Sequence, residues 1–289
     1  MRALLPYLLL LLTAPFFTSC RSGLFGGGAP VTLKEAWASD NTLRTPESVL
    51  HDPQRNVIYV SNINKRTTDR KDGDGFISIL SPHGEVEQLY WVAGLNNPKG
   101  MALFNNILYV ADIDEVVAIS TQSGAILDRF KADKATNLND VTVDSEGNVY
   151  ISDSQEGKIY LLRNGRISTW MDKTKNEMPN GLLYDQNRLI VAFASSGHVR
   201  LLDTRRKRFT DWTEGIASAD GIAVDGAGGF FISNWHGEIY YVNQRGKKWL
   251  VLDTKAEKVN TADIAYSQQL QLLLVPTFLD NRVVAYTVK

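Results

Sequence analysis

The chain has 289 residues, 44% of them apolar, and 31 basic side chains against 32 acidic ones, for a formal charge of −1. This supplies a sizeable core but no electrostatic footing for a nucleic-acid partner, and no basic run is interleaved with aromatics. The single cysteine, Cys20, excludes an internal disulfide.

Met1-Arg2 precedes LLPYLLLLL, an apolar run too short and too N-terminal for a conventional membrane span. It ends in TAPFFTSC, which resembles the lipobox of bacterial lipoproteins, with Thr18 and Ser19 before Cys20 and Phe17 departing from the usual leucine. The resemblance implies a signal peptide over residues 1–20 and lipidation at Cys20, the only expected membrane attachment. The alternative is a plain cleaved signal peptide. Residues 21–31 contain RSGLFGGGAP, the composition of a flexible tether. Either way the body is expected to be exported, to the bacterial cell envelope if it is lipid-anchored.

From Thr32 onward one unit recurs. Its marker is a strand ending in a small or polar residue: VIYVSN from Val57, ILYVAD from Ile107, NVYISD from Asn148, RLIVAF from Arg188, GFFISN from Gly229 and LLLVPT from Leu272. The starts lie 50, 41, 40, 41 and 43 residues apart, a period that signals a solenoid, propeller or array. Each copy is rich in β-branched and aromatic residues with Gly, Asn and Asp between. An inner strand precedes each marker, a third strand follows it, and a fourth carries Trp91, Phe130, Trp170, Trp212 or Trp249. Four strands per copy and six copies predict an all-β, six-bladed β-propeller over residues 32–289.

The sixth copy lacks its fourth strand, because the chain stops after NRVVAYT. TLKEAWAS, residues 32–39, supplies the missing strand and its aromatic, Trp37. Pairing it with the last blade removes an open edge; a short amphipathic helix is the alternative reading.

Inner strands line a propeller's channel, so their opening residues form a ring at one mouth: Glu47, Lys99, Asn139, Asn180, Asp220 and Ala262. Two carboxylates and two amides make an all-oxygen set suited to a hard cation, although Asn and Asp also favour turns. Loops on the same face bring Asn62, Asp112, Asp153, Phe193, Asn234-Trp235-His236 and Phe278. Lys99 could orient an anionic substrate or pair with Asp112 or Asp114. The long insert after Asn62 is a candidate lid. The four histidines show no metal-ligand spacing, and no Gly-x-Ser-x-Gly elbow or phosphate loop is present.

TPESV at Glu47, LNDVTVD at Asn139-Asp140, PNGLLYD at Asn180-Gly181 and ADGIAVD at Asp220-Gly221 resemble, in order and blade spacing, the metal-binding motifs of the regucalcin/gluconolactonase family. The resemblance covers nearly all of the body. It implies a six-bladed propeller with one divalent cation, calcium foremost and zinc or another as alternatives, held by Glu47, Asn139, Asn180 and Asp220, with Asp220 also the general base. Sugar-lactone enzymes of that family carry an arginine where this chain has Asn137, so sugar-lactone specificity does not transfer. Lys99, Asn137 and Asp112 are the candidate substrate residues.

Two functions follow. One is a metal-dependent hydrolase of a lactone or related ester, with metal-activated water attacking the carbonyl and Asp220 taking its proton. The other is a non-catalytic envelope propeller that binds a small ligand or a protein.

Overall fold

Each copy of the repeat forms one antiparallel sheet of four strands, and six such sheets surround an axis. The computed structural model describes residues 28–64, 71–172, 174 and 176–289. The leader, Cys20 and most of the tether lie outside the described residues, as does the middle of the proposed lid. No helix among the described residues is long and apolar enough to cross a membrane.

Alternation of apolar residues places one set of side chains between neighbouring blades. The first sheet shows the pattern: Pro46–Asp52 pairs with Val57–Asn62, then Gly75–Leu80, then Val86–Leu95. Its two middle strands are almost wholly buried, while the outer strand alternates exposed and half-buried residues. The core therefore consists of apolar layers between blades. Tyr59, Ile77 and Val92 of the first blade pack on Met101, Leu108 and Val117 of the second, for example. The recurring outer-strand tryptophans cap these layers, as where Trp91 stacks on Tyr59 with centroids 4.9 Å apart.

The last blade is built from both ends of the described chain. Leu33–Ala38 pairs antiparallel with Arg282–Val288, setting Leu33 opposite Val288 and Trp37 opposite Ala285. Thr32 and Lys289 exchange backbone hydrogen bonds of 2.8 and 3.0 Å, and the Ser39 N–H donates to Val283 at 2.9 Å. The strand predicted from TLKEAWAS is therefore present. Trp37 lies over Gly84, whose missing side chain leaves room for the indole; a Cβ there would meet the ring at 2.3 Å. On the axial side the ring closes where the Asp263 N–H donates to the Glu47 carbonyl at 2.9 Å.

Deleting residues 31–40 should expose the edge of Arg282–Val288 and uncover the apolar layer beneath Trp37. The expected result is a melting temperature lower by on the order of 10 °C, read by thermal denaturation. Unchanged melting would mean that this strand contributes nothing to closure.

Candidate functional site

The opening residues of the inner strands owe their placement to a break in pairing. In the first five blades the register with the marker strand shifts between Pro46 and Ser48, Pro98 and Met101, Leu138 and Val141, Pro179 and Leu182, and Ala219 and Ile222. A bulge of this kind re-aims a side chain, and Glu47, Lys99, Asn139, Asn180 and Asp220 all sit within the breaks. In the first, third and fifth blades a marker-strand serine bridges the gap. Ser61, Ser152 and Ser233 accept the N–H of Ser48, Asp140 and Gly221, each at 2.9 Å. Ser152 and Ser233 then donate to the Asn180 and Ala262 carbonyls of the following blade. The small residue that marks the repeat is thus a hinge pin between blades.

The ring gathers charge in a dry place. Glu47 is 6% exposed, Lys99 8% and Asp220 7%. Burial pushes the Glu47 carboxyl well above the usual range; Lys99 opposes that shift, while Asp220 and Asp263 add to it. Burial raises Asp220 to about 6, against the opposing charge of Lys99 and the Asn180 amide. The Asn180 amide nitrogen donates to the Ala219 carbonyl at 3.3 Å. Within the ring two buried oxygens have no hydrogen-bond partner, Glu47 Oε2 and Asn180 Oδ1. Buried polar atoms are ordinarily satisfied, so two bare acceptors in one ring suit a cation. Among the described residues no three His, Cys, Asp or Glu side chains group as a metal cage; the ring combines two carboxylates with two amides instead.

The second tier is mostly structural. Asp112 is fully buried, and its carboxylate accepts the N–H groups of Asn96 and Asn97 at 2.5–3.0 Å. Asn62, Asp153 and Asn234 do the same for the backbone at Arg44, at Thr136 and at His236 and Glu238. These marker-strand termini anchor the loops that deliver the ring residues, so Asp112 has little capacity left for a substrate. Asp114 pairs with Lys71 at 2.6 Å. Asn137 is half-buried and its carbonyl accepts the Ser154 N–H at 3.2 Å. On the sixth-blade side the ring is apolar. Ala262 packs with Ile63 and Phe278, and Trp235 meets Phe278 edge-on at 4.8 Å.

Two acids were given no role of their own in the sequence reading. Asp140 and Asp263 follow the ring positions by one residue and stand in opposed blades, yet the charge of Asp140 acts on Asp263. Asp140 is pushed up to about 8 by burial, against hydrogen bonds from the Leu182 and Val141 N–H groups, with Glu47 and Asp220 adding to the rise. Asp263 is likewise raised by burial and by Asp140, against a hydrogen bond from Ser48. The signal lay in the neighbouring glycines. A Cβ on Gly100 would lie 2.4 Å from Asp140 Oδ1, and one on Gly221 would lie 2.5 Å from Asp263 Oδ1.

No family profile and no curated protein sequence matches the chain. Solved structures match its fold. A streptogramin B lyase aligns with a TM-score of 0.65 at 10% identity, over 90% of this chain and 98% of that one. The virginiamycin B lyase of Staphylococcus aureus aligns at 0.62 and 10%, over 89% and 99%. A chain of a nidogen/laminin complex aligns at 0.63 and 18%, over 76% and 84%.

Proposed function

We propose that the ring of Glu47, Asn139, Asn180 and Asp220 holds one divalent cation and that the protein is a metal-dependent hydrolase of a lactone or related ester. The resemblance to the regucalcin/gluconolactonase family points the same way. The observation that carries the reading is the pair of buried, donorless oxygens, Glu47 Oε2 and Asn180 Oδ1, beside the Asp220 carboxylate. A bound dication, calcium foremost, would polarise a substrate carbonyl and acidify water. Asp220, raised to about 6, is suited to accept a proton near neutral pH. Lys99 would attract an anionic substrate group to the mouth, and the apolar sixth-blade side would exclude water from it. Export and lipidation at Cys20 are proposed from the sequence.

A second reading is favoured by Lys99 itself. Its charge already opposes the ionisation penalty of both Glu47 and Asp220, which is what a metal would do. With the ammonium in that role the protein is a non-catalytic binding propeller. The fold permits both: its structural neighbours include two lyases and a chain from a protein–protein complex.

Elemental analysis separates the two. The hydrolase reading expects about one chelator-removable divalent ion per chain, retained or held more tightly in Lys99→Met because a competing charge is gone. Metal-free wild type, with binding created only in Lys99→Met, would favour the binding propeller.

A further inference from the structure

Five of the six tryptophans, Trp37, Trp91, Trp170, Trp212 and Trp249, lie in outer strands. Trp235 does not. It sits in the turn between Gly229–Asn234 and Glu238–Asn243, on the face that carries the ring, and it is 36% exposed. Its backbone is clamped from both sides. The N–H donates to the Ser218 carbonyl at 3.1 Å, two residues before Asp220. The carbonyl accepts the Asn260 side-chain amide at 2.7 Å, two residues before Ala262. The indole is therefore held at the mouth, beside the fifth- and sixth-blade openings of the ring. Its neighbourhood is apolar in one sector. The residue after each marker strand is, in blade order, Ile63, Ile113, Ser154, Ala194, Trp235 and Phe278. In the fifth, sixth and first blades these bulky side chains meet around Ala262. Ile63 and Phe278 pack on it, and Trp235 meets Phe278 edge-on. Leu279, next along the turn, is 39% exposed. In the third and fourth blades the same position is small, and the ring members there are the amides Asn139 and Asn180. The mouth thus has a polar floor and one apolar wall, rising beside Ala262, the ring position without a polar side chain.

We propose that this wall, with Trp235 as its exposed face, binds the hydrocarbon substituent of the substrate. The lactone or ester taken at the ring is then an alkyl- or aryl-substituted one, not a polyhydroxylated sugar lactone. The substrate class rests on the hydrolase reading of the ring; the apolar subsite does not. A half-exposed indole gains by being covered with hydrocarbon, and an aryl group adds ring-to-ring contact. Sugar hydroxyls laid against tryptophan, phenylalanine and leucine would give up water without gaining a partner. Because the backbone of Trp235 is fixed at both ends, little ordering is needed when the substituent docks. Apolar walls beside a few convergent polar groups are the usual form of a small-molecule site.

Calorimetric titration of the intact protein with 2-pyrrolidinone and 5-phenyl-2-pyrrolidinone, lactam counterparts of a plain and an aryl-substituted lactone, separates the subsite from the chemistry. The phenyl lactam should bind once per chain, roughly 10–50-fold more tightly than the parent, and should change the tryptophan fluorescence. Trp235→Ala should bring it down to the level of the parent with little change in melting temperature, and Trp235→Phe should keep most of the gain. In turnover, Trp235→Ala should raise KM for γ-phenyl-γ-butyrolactone about 10-fold with kcat within twofold, the mark of lost uniform binding, and should leave γ-butyrolactone unaffected. Equal binding of the two lactams would overturn the proposal. So would a phenyl preference that survives Trp235→Ala, which would put the aryl group elsewhere in the channel. A phenyl preference lost in Trp235→Ala, in a protein that hydrolyses neither lactone, would uphold the subsite and overturn the hydrolase reading. Metal-dependent hydrolysis of both lactones with equal kcat/KM would uphold the hydrolase and overturn the subsite.

Discussion

Asp220→Asn is expected to lower kcat for lactone hydrolysis by about 10²–10⁴-fold, the usual cost of losing a general base, even at saturating divalent cation. The fold should survive. Asp220 is a buried carboxyl raised to about 6, so at pH 8 the metal-free protein pays to keep it ionised. An isosteric amide removes that cost, and the melting temperature at pH 8 should hold or rise while activity is lost. The pH profile carries the same signature. The base works only when ionised, so kcat/KM should climb with pH on a limb at or below about 6, because a bound cation lowers the value further. Asn180→Ala should behave differently, raising the cation concentration needed while leaving the saturated rate within a few fold. A variant Asp220→Asn that keeps activity within fivefold of wild type would remove Asp220 from the chemistry.

What the sequence made legible was set by periodicity. Strand identity, blade number and the Trp37 closure all follow from a repeat whose apolar positions face neighbouring blades, a pattern strong enough to survive every loop variation. The ring positions were legible for the same reason, since Glu47, Lys99, Asn139, Asn180 and Asp220 occupy one register point in five copies. Asp140 and Asp263 were not. They sit one residue later, where alternation assigns a strand residue to the other side, and at Asp140 the register break between Leu138 and Val141 defeats that alternation. In the sixth blade the inner strand is reduced to Ala265–Ser267, which hides Asp263 further. Asp112 shows the opposite limit. It is polar and close to the mouth, but nothing in the sequence tells that its carboxylate is occupied by the Asn96 and Asn97 N–H groups.

The buried acids make stability depend on pH in an unusual direction. Burial raises Glu47, Asp140, Asp220 and Asp263, Asp140 to about 8 and Asp220 to about 6. In the unfolded chain such carboxyls titrate near 4. Between that value and the raised ones the folded protein binds more protons than the unfolded chain, so stability falls as pH rises. Their protonated forms favour the fold fully below about pH 4, and that advantage is lost as pH climbs through 6 and 8. In chelator, the melting temperature should therefore drop by roughly 5–10 °C between pH 5 and pH 9. Added divalent cation should reverse much of the drop if the ring binds it, because a ligand of the folded state stabilises by mass action. Asp140→Asn should tilt the profile. Near pH 5 the amide loses acceptor capacity for the Val141 and Leu182 N–H groups, and the variant should melt below wild type. Near pH 8 it no longer carries a buried charge, and it should melt level with wild type or above. Differential scanning fluorimetry of both proteins across pH 5–9 would show the two curves converging or crossing. Parallel curves would mean that Asp140 does not change its charge in this range, and that the rise assigned to it is spent elsewhere in the channel.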